Sequence, residues 1–196
     1  SHGINCHNAR VPPSLPEAHM ILIDGKQIAA DTIEKVKAET ERLKKQHAVT
    51  PGLAVVIVGS DPASKVYVAS KGRMARECGL NSYEHALPQD TSETDLLALV
   101  AQLNSDENVH GILVQMPLPK HLDAMKVIRT IDPDKDVDGL TEVNVGRLVS
   151  GNFDRAFVPC TPAGCMVMIR NILGEDLSGK SAVVVDPYHG LLGRYT

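Results

Sequence analysis

A doubly wound parallel α/β sheet is the fold class predicted by three features of this sequence. The runs Leu53–Val58 and Val109–Gln115 are apolar, largely β-branched and of strand length, as buried strands should be. Stretches with apolar residues at helical spacing separate them. The resulting order of helix, strand, helix, strand, helix, strand, helix gives each strand the crossover that parallel pairing requires.

Each element has its own local reason. Asp24-Gly25 is a turn signal, and from Gln27 to about His47 the residues Ile28, Ile33, Val36 and Leu43 form one apolar stripe among Lys and Glu. Gly59 ends the Leu53–Val58 strand. Asp61 then Pro62 make an N-cap and a first helical residue for a helix to about Cys78, with Gly79 as the residue beyond its end. A short strand at Asn81–Ala86 follows. Ser92 with Asp95 resembles a capping box, and Leu96, Leu97, Val100 and Leu103 carry a helix to about Asn104. The strand ending at Gln115 is stopped by Met116-Pro117-Leu118-Pro119, and His121 to about Thr130 reads as a short helix. Phe157 to Thr161 is extended, with Thr161 and Pro162 expected as the N-cap and first residue of a helix to about Leu173. Leu177–Lys180 is a turn, and Ser181–Val185 is a β run that could open a dinucleotide-binding unit. The following Asp186 to Thr196 offers only Gly190 and Gly193 for such a turn.

Composition narrows the function classes. A chain of 196 residues, 43% hydrophobic, can build a full core. With 24 acidic and 20 basic residues, a net charge of -4 and no basic block, nucleic acid and membrane surfaces are poor partners, and a small molecule is the better one. No apolar run approaches the roughly 18 residues of a membrane span. Cys6, Cys78, Cys160 and Cys165 show no paired spacing, so they read as reduced cysteines in a cytoplasmic protein without a zinc site. Residues 1–20 lack periodicity and read as a disordered leader or added tail, with folded protein expected from Ile21.

Two stretches carry chemistry. Tyr67 and Lys71 share one face of the helix opened by Asp61 and Pro62, just beyond a strand's C-terminal end, where open α/β sheets hold their ligands. The plainer reading is a tyrosine packed on a lysine stem at the surface. The loop Ile131–Gly139 places carboxylates at Asp132, Asp134, Asp136 and Asp138. As a calcium loop from Asp134 it would need Glu at its last ligand position, where Val145 stands, so calcium is rejected. Asp132 and Asp134 read as a solvated turn, and Asp138, beside a glycine and an apolar segment, as the candidate ligand contact.

Four segments, VGSDPASKVYVASK (58–71), GILVQMPLP (111–119), PDKDVDGL (133–140) and PCTPAG (159–164), closely resemble the FolD-type bifunctional methylenetetrahydrofolate dehydrogenase/methenyltetrahydrofolate cyclohydrolase family, in the same order and separations. The likeness spans about Ile23 to Val185 and includes the run SAVVV. It departs directly afterwards, where Asp186-Pro187-Tyr188 replaces the family's glycine-arginine-serine loop. The resemblance implies a folate-binding catalytic domain over 21–155 and, over 156–196, a linker helix and the incomplete start of a Rossmann-like domain. It also implies a role in one-carbon metabolism and purine biosynthesis, tetrahydrofolate derivatives as partners, NADP as cofactor and a homodimeric full-length parent. Its catalytic residues would be Lys71, Gln115, Tyr67 and Asp138. Folate would be bound by Tyr67, Ser64, Gln115, Pro117, Asp138 and Gly139, and NADP would meet Thr161, Gly190, Gly193 and Arg194. Since the family's C-terminal helix packs back on the first domain, the resemblance implies an uncovered apolar surface in a shortened chain.

These residue types suit that chemistry. A pterin presents an amino group and a ring N–H side by side, which one carboxylate can accept together through charge-assisted bonds of about 1.5 to 3 kcal/mol each. Hydrolysis of a methenyl bridge needs a positioned acid and base, and an amine serves near neutral pH when burial or nearby positive charge lowers its pKa. A glutamine can orient such an amine without pinning its proton as a carboxylate would. Hydride transfer needs a nicotinamide held by a second domain, so this chain is expected to lack dehydrogenase activity and to keep at most weak cyclohydrolase activity. The competing reading is a fragment that binds folate or a partner without turnover; a more distant one is an unrelated nucleotide-binding α/β domain.

Overall fold

A computed structural model describes residues 23–181 of the chain. Three parallel strands, β1 (Gly52–Val58), β2 (Asn81–Leu87) and β3 (Gly111–Val114), form a sheet in the order β2-β1-β3. β1 pairs from Gly52↔Asn81 to Val58↔Leu87 on one side and from Leu53↔Gly111 to Val56↔Val114 on the other. A further parallel bridge, Ile112↔Asp136, lays the acidic loop along the outer edge of β3. There the Ile112 N–H donates to the Lys135 carbonyl at 2.7 Å.

The helices begin and end where local chemistry dictates. α1 (Gly25–His47) starts on Asp24, whose carboxylate accepts from the N–H groups of Lys26 and Gln27. The Asp24-Gly25 pair read as a turn is therefore a cap and a first helical residue, because Asp24 satisfies donors that a helix start leaves open. α2 (Pro62–Glu77) is capped by Asp61, accepting from the Ser64 N–H at 2.8 Å, and closes before Gly79 at φ 80°. α3 (Glu93–Ser105) is capped by Ser92 at the Asp95 N–H. α4 (Ala124–Thr130) starts later than the expected His121, since Asp123 is the residue that accepts from the Met125 and Lys126 N–H groups.

α5 (Glu142–Val149), capped by Thr141, and the 3-10 turn Phe153–Arg155 have no counterpart in the sequence expectation. α6 (Cys160–Leu173) begins one residue before the expected Thr161 cap; Pro159 occupies the cap position and Pro162 sits in the first turn, where its missing N–H leaves no bond broken. Of the expected Ser181–Val185 strand, all but Ser181 lies outside the described residues, as does the folded start at Ile21.

α3 and α4 cover one sheet face and α2 the other. On the first, Leu96, Val100 and Leu103 of α3 and Val127 of α4 pack with Ala54, Val56, Val58, Ile112 and Val114. On the second, Val68 of α2 meets Val55, Ile57 and Leu113. Among the described residues no helix is long and apolar enough to cross a membrane.

Candidate active site

The C-terminal ends of β1 and β3 determine where the site forms. The Gln115 N–H makes the last rung to the Val56 carbonyl at 2.8 Å, which fixes its side chain at the sheet end. Its Nε2 donates to the Met116 carbonyl at 2.7 Å, leaving Oε1 as the acceptor that faces α2. Lys71 Nζ donates to that oxygen at 3.1 Å. One turn earlier on α2, Tyr67 is 62% exposed, so its ring offers an open aromatic face beside the amine.

Asp138 faces the same region from the acidic loop. Burial raises its carboxyl above the ordinary range, the Lys71 charge pulls it back down, and Asp136 pushes it up again. The Lys71 amine and the Asp138 carboxyl group therefore lie within reach of one another's field. Both line a cavity of about 730 Å³ whose other walls include Leu53, Leu113, Val137, Phe157 and Cys160. The Cys160 sulfur lies 4.0 Å from the Val137 carbonyl oxygen, and burial followed by the Asp138 charge raises its thiol.

The acidic loop divides its work between carboxylates. Asp136, 1% exposed, accepts from the N–H groups of Leu140 at 3.2 Å and Thr141 at 2.8 Å and from the Asn144 amide at 3.0 Å. A carboxylate so engaged is structural, which explains the loop's composition without calcium. Asp132 accepts from the Asp134 N–H, and Asp134 pairs with Arg147 at 3.1 Å on the outside.

Other expected contacts divide clearly. Pro117 is exposed in the loop after β3. Ser64 is only 5% exposed in the capped first turn of α2, and Gly139 is buried, so neither presents an open wall. Gly139 has φ 65°, and a Cβ there would meet the Phe157 carbonyl oxygen at 2.3 Å. It is the seat on which the Phe157–Cys160 segment lies. Thr161 is exposed in the first turn of α6, and Gly190, Gly193 and Arg194 lie outside the described residues. Sequence reasoning assigned no site role to Phe157 or Cys160, although the PCTPAG segment containing Cys160 was among the motifs.

Residues 23–138 match the family described as tetrahydrofolate dehydrogenase/cyclohydrolase, catalytic domain. A Brucella anthropi relative named bifunctional protein FolD is 58% identical over 164 residues, 84% of this chain and 55% of the relative. The chain thus spans about half the length of the curated relatives it matches. Among solved structures, the Campylobacter jejuni FolD methylenetetrahydrofolate dehydrogenase/cyclohydrolase superposes with a TM-score of 0.75 at 41% identity, covering 78% of this chain and 53% of that one. A Trypanosoma brucei FolD, solved with NADP cofactor and an inhibitor, gives 0.74 at 34% identity over 77% of this chain and 51% of its own.

Proposed function

This chain belongs to the tetrahydrofolate dehydrogenase/cyclohydrolase family, and on that premise we propose that its described residues bind a reduced folate and hydrolyse 5,10-methenyltetrahydrofolate to the 10-formyl form. The observation that carries the reading is the 3.1 Å bond from Lys71 Nζ to Gln115 Oε1, with Lys71 and Asp138 lining one cavity. Tyr67 offers its exposed ring to the folate's aromatic linker. Asp138 accepts the paired amino and ring N–H donors of the pterin, which favours its ionised form.

With the bridge carbon beside Lys71, water adds to that electron-poor carbon as its proton passes to the amine. The amine returns a proton to the ring nitrogen as its bond to the carbon breaks, leaving the formyl group on the other nitrogen. Gln115 holds the amine in place for both transfers.

The family's oxidative half uses NADP, which accepts hydride from the methylene form. Of the residues assigned to it, only Thr161 falls among those described. Asp186-Pro187-Tyr188, standing where the resemblance calls for glycine-arginine-serine, supports the expectation that this chain lacks the dehydrogenase activity and keeps at most weak cyclohydrolase activity.

The test follows the loss of methenyl absorbance with this chain and with Lys71→Ala. Turnover should fall at least about a hundredfold in the variant while folate affinity is largely kept. Folate binding without faster hydrolysis in the unmodified chain would favour the second reading, a module that holds folate without turnover. Binding of NADP but not folate would sink both.

A further inference from the structure

We propose that Asn144, on the helix the sequence did not announce, is a positioning residue that holds two walls of the site in register, an inference that rests on the folate reading above. One wall is the turn carrying Asp138; the other is the Phe157–Cys160 segment. Asn144 is 0% exposed. Its Nδ2 donates to the Asp136 carboxylate at 3.0 Å and to the Pro133 carbonyl at 2.8 Å, both on the acidic loop. Its Oδ1 accepts from the Phe157 N–H at 3.2 Å. One planar amide therefore spans the two walls.

Asp136 transmits that hold to Asp138. Its carbonyl accepts from the Gly139 N–H at 3.1 Å and its carboxylate from the Leu140 and Thr141 N–H groups, so bonds from a single residue close the turn in which Asp138 sits. On the other side, Phe157 rests on Gly139 so closely that no side chain fits between them. Losing the Asn144 amide leaves the buried Asp136 carboxylate short of a donor and the Phe157 N–H short of an acceptor. Both walls then loosen together. Arg147, which donates to Asp134, to Asn144 Oδ1 and to the Arg155 carbonyl, braces the outer side of the same helix.

The experiment measures binding of 5-formyltetrahydrofolate to this chain, to Asn144→Ala, to Asp138→Asn and to the double variant. Asn144→Ala should weaken binding about tenfold or more, and in the Asp138→Asn background the same change should cost less than about twofold, because the carboxylate it positions is gone. Equal losses in both backgrounds would overturn the positioning role. Failure of the unmodified chain to bind the probe would overturn the folate reading and this inference with it. Should Asn144→Ala not fold, Asn144→Ser, too short to reach both partners, takes its place. Amide exchange supplies a readout independent of folate: the Gly139, Thr141 and Phe157 N–H groups should exchange faster in the variant while those of β1 stay protected. Uniformly faster exchange, β1 included, would reduce Asn144 to general stability and overturn the proposal.

Discussion

Among the described residues, twelve buried apolar residues interlock on one face of the sheet, whereas on the other Val55, Ile57, Val68 and Leu113 form the buried cluster, beside a cavity of about 730 Å³. The strands are the same, and alternation sends Val56 to one side and Val55 to the other. The filled face contributes no residue to the Lys71–Gln115–Asp138 group. It fixes β1 and β3, so that the ends of those strands deliver Gln115 to a set place. The thin face keeps the room that a ligand needs. Packing and chemistry are thus divided between two sides of one layer.

The contrast can be broken most directly at Lys71, on the thin face. Lys71→Ala should lower hydrolysis by about a hundredfold to ten-thousandfold, the range for a positioned acid/base, while circular dichroism and the melting transition stay in place. A melt that falls with the activity would mean that Lys71 supports the fold instead. Next in size is a matched pair of truncations. Leu96→Ala, wholly buried on the filled face, should cost about 2 to 5 kcal/mol in urea unfolding. Leu53→Ala, on the cavity wall, should cost about 1 kcal/mol, because part of its surface is already open. Similar values would erase the distinction between the faces.

A subtler change sharpens the picture at the strand end. Gln115→Glu keeps the shape but places a charge against the Lys71 amine, holding its proton; hydrolysis should fall about tenfold to a hundredfold with folate affinity little altered. The smallest effect concerns pH. Burial lifts the folded-state pKa of Asp138 above its unfolded value of about 3.9, so between the two values the folded state binds more protons than the unfolded one. Stability contributed by this group therefore falls as pH rises through that window. Asp138→Asn should flatten that slope and raise the melting temperature at neutral pH, read by calorimetry over a series of pH values.

Local signals announced the sheet and half of the site. β1, α2 and the rung at Gln115 follow from β-branched runs, an Asp-Pro helix start and a proline stop, and these alone bring Tyr67, Lys71 and Gln115 to one end of the sheet. α5 was missed because Glu142–Val149 contains Gly146 and three valines, poor helix formers, and is held by Asn144 reaching a buried carboxylate across the loop. That long-range bond leaves no periodic mark in the chain. Asp136 and Asp138 likewise look alike in sequence, and only the backbone donors gathered around Asp136 separate the structural carboxylate from the one that lines the cavity. The cap of α6 shifted for a local reason: Pro159 already fixes the backbone two residues before Thr161.

The parallel ladder also says something about time. Each rung of β1 joins it to a strand lying beyond a whole intervening helix, so no pair can form by a local hairpin, and folding of such non-local topologies is slow. The amine on α2 and the amide after β3 meet only when the second of these pairings closes. On refolding from urea, helical signal should return early, and folate binding should return with the last and slowest phase.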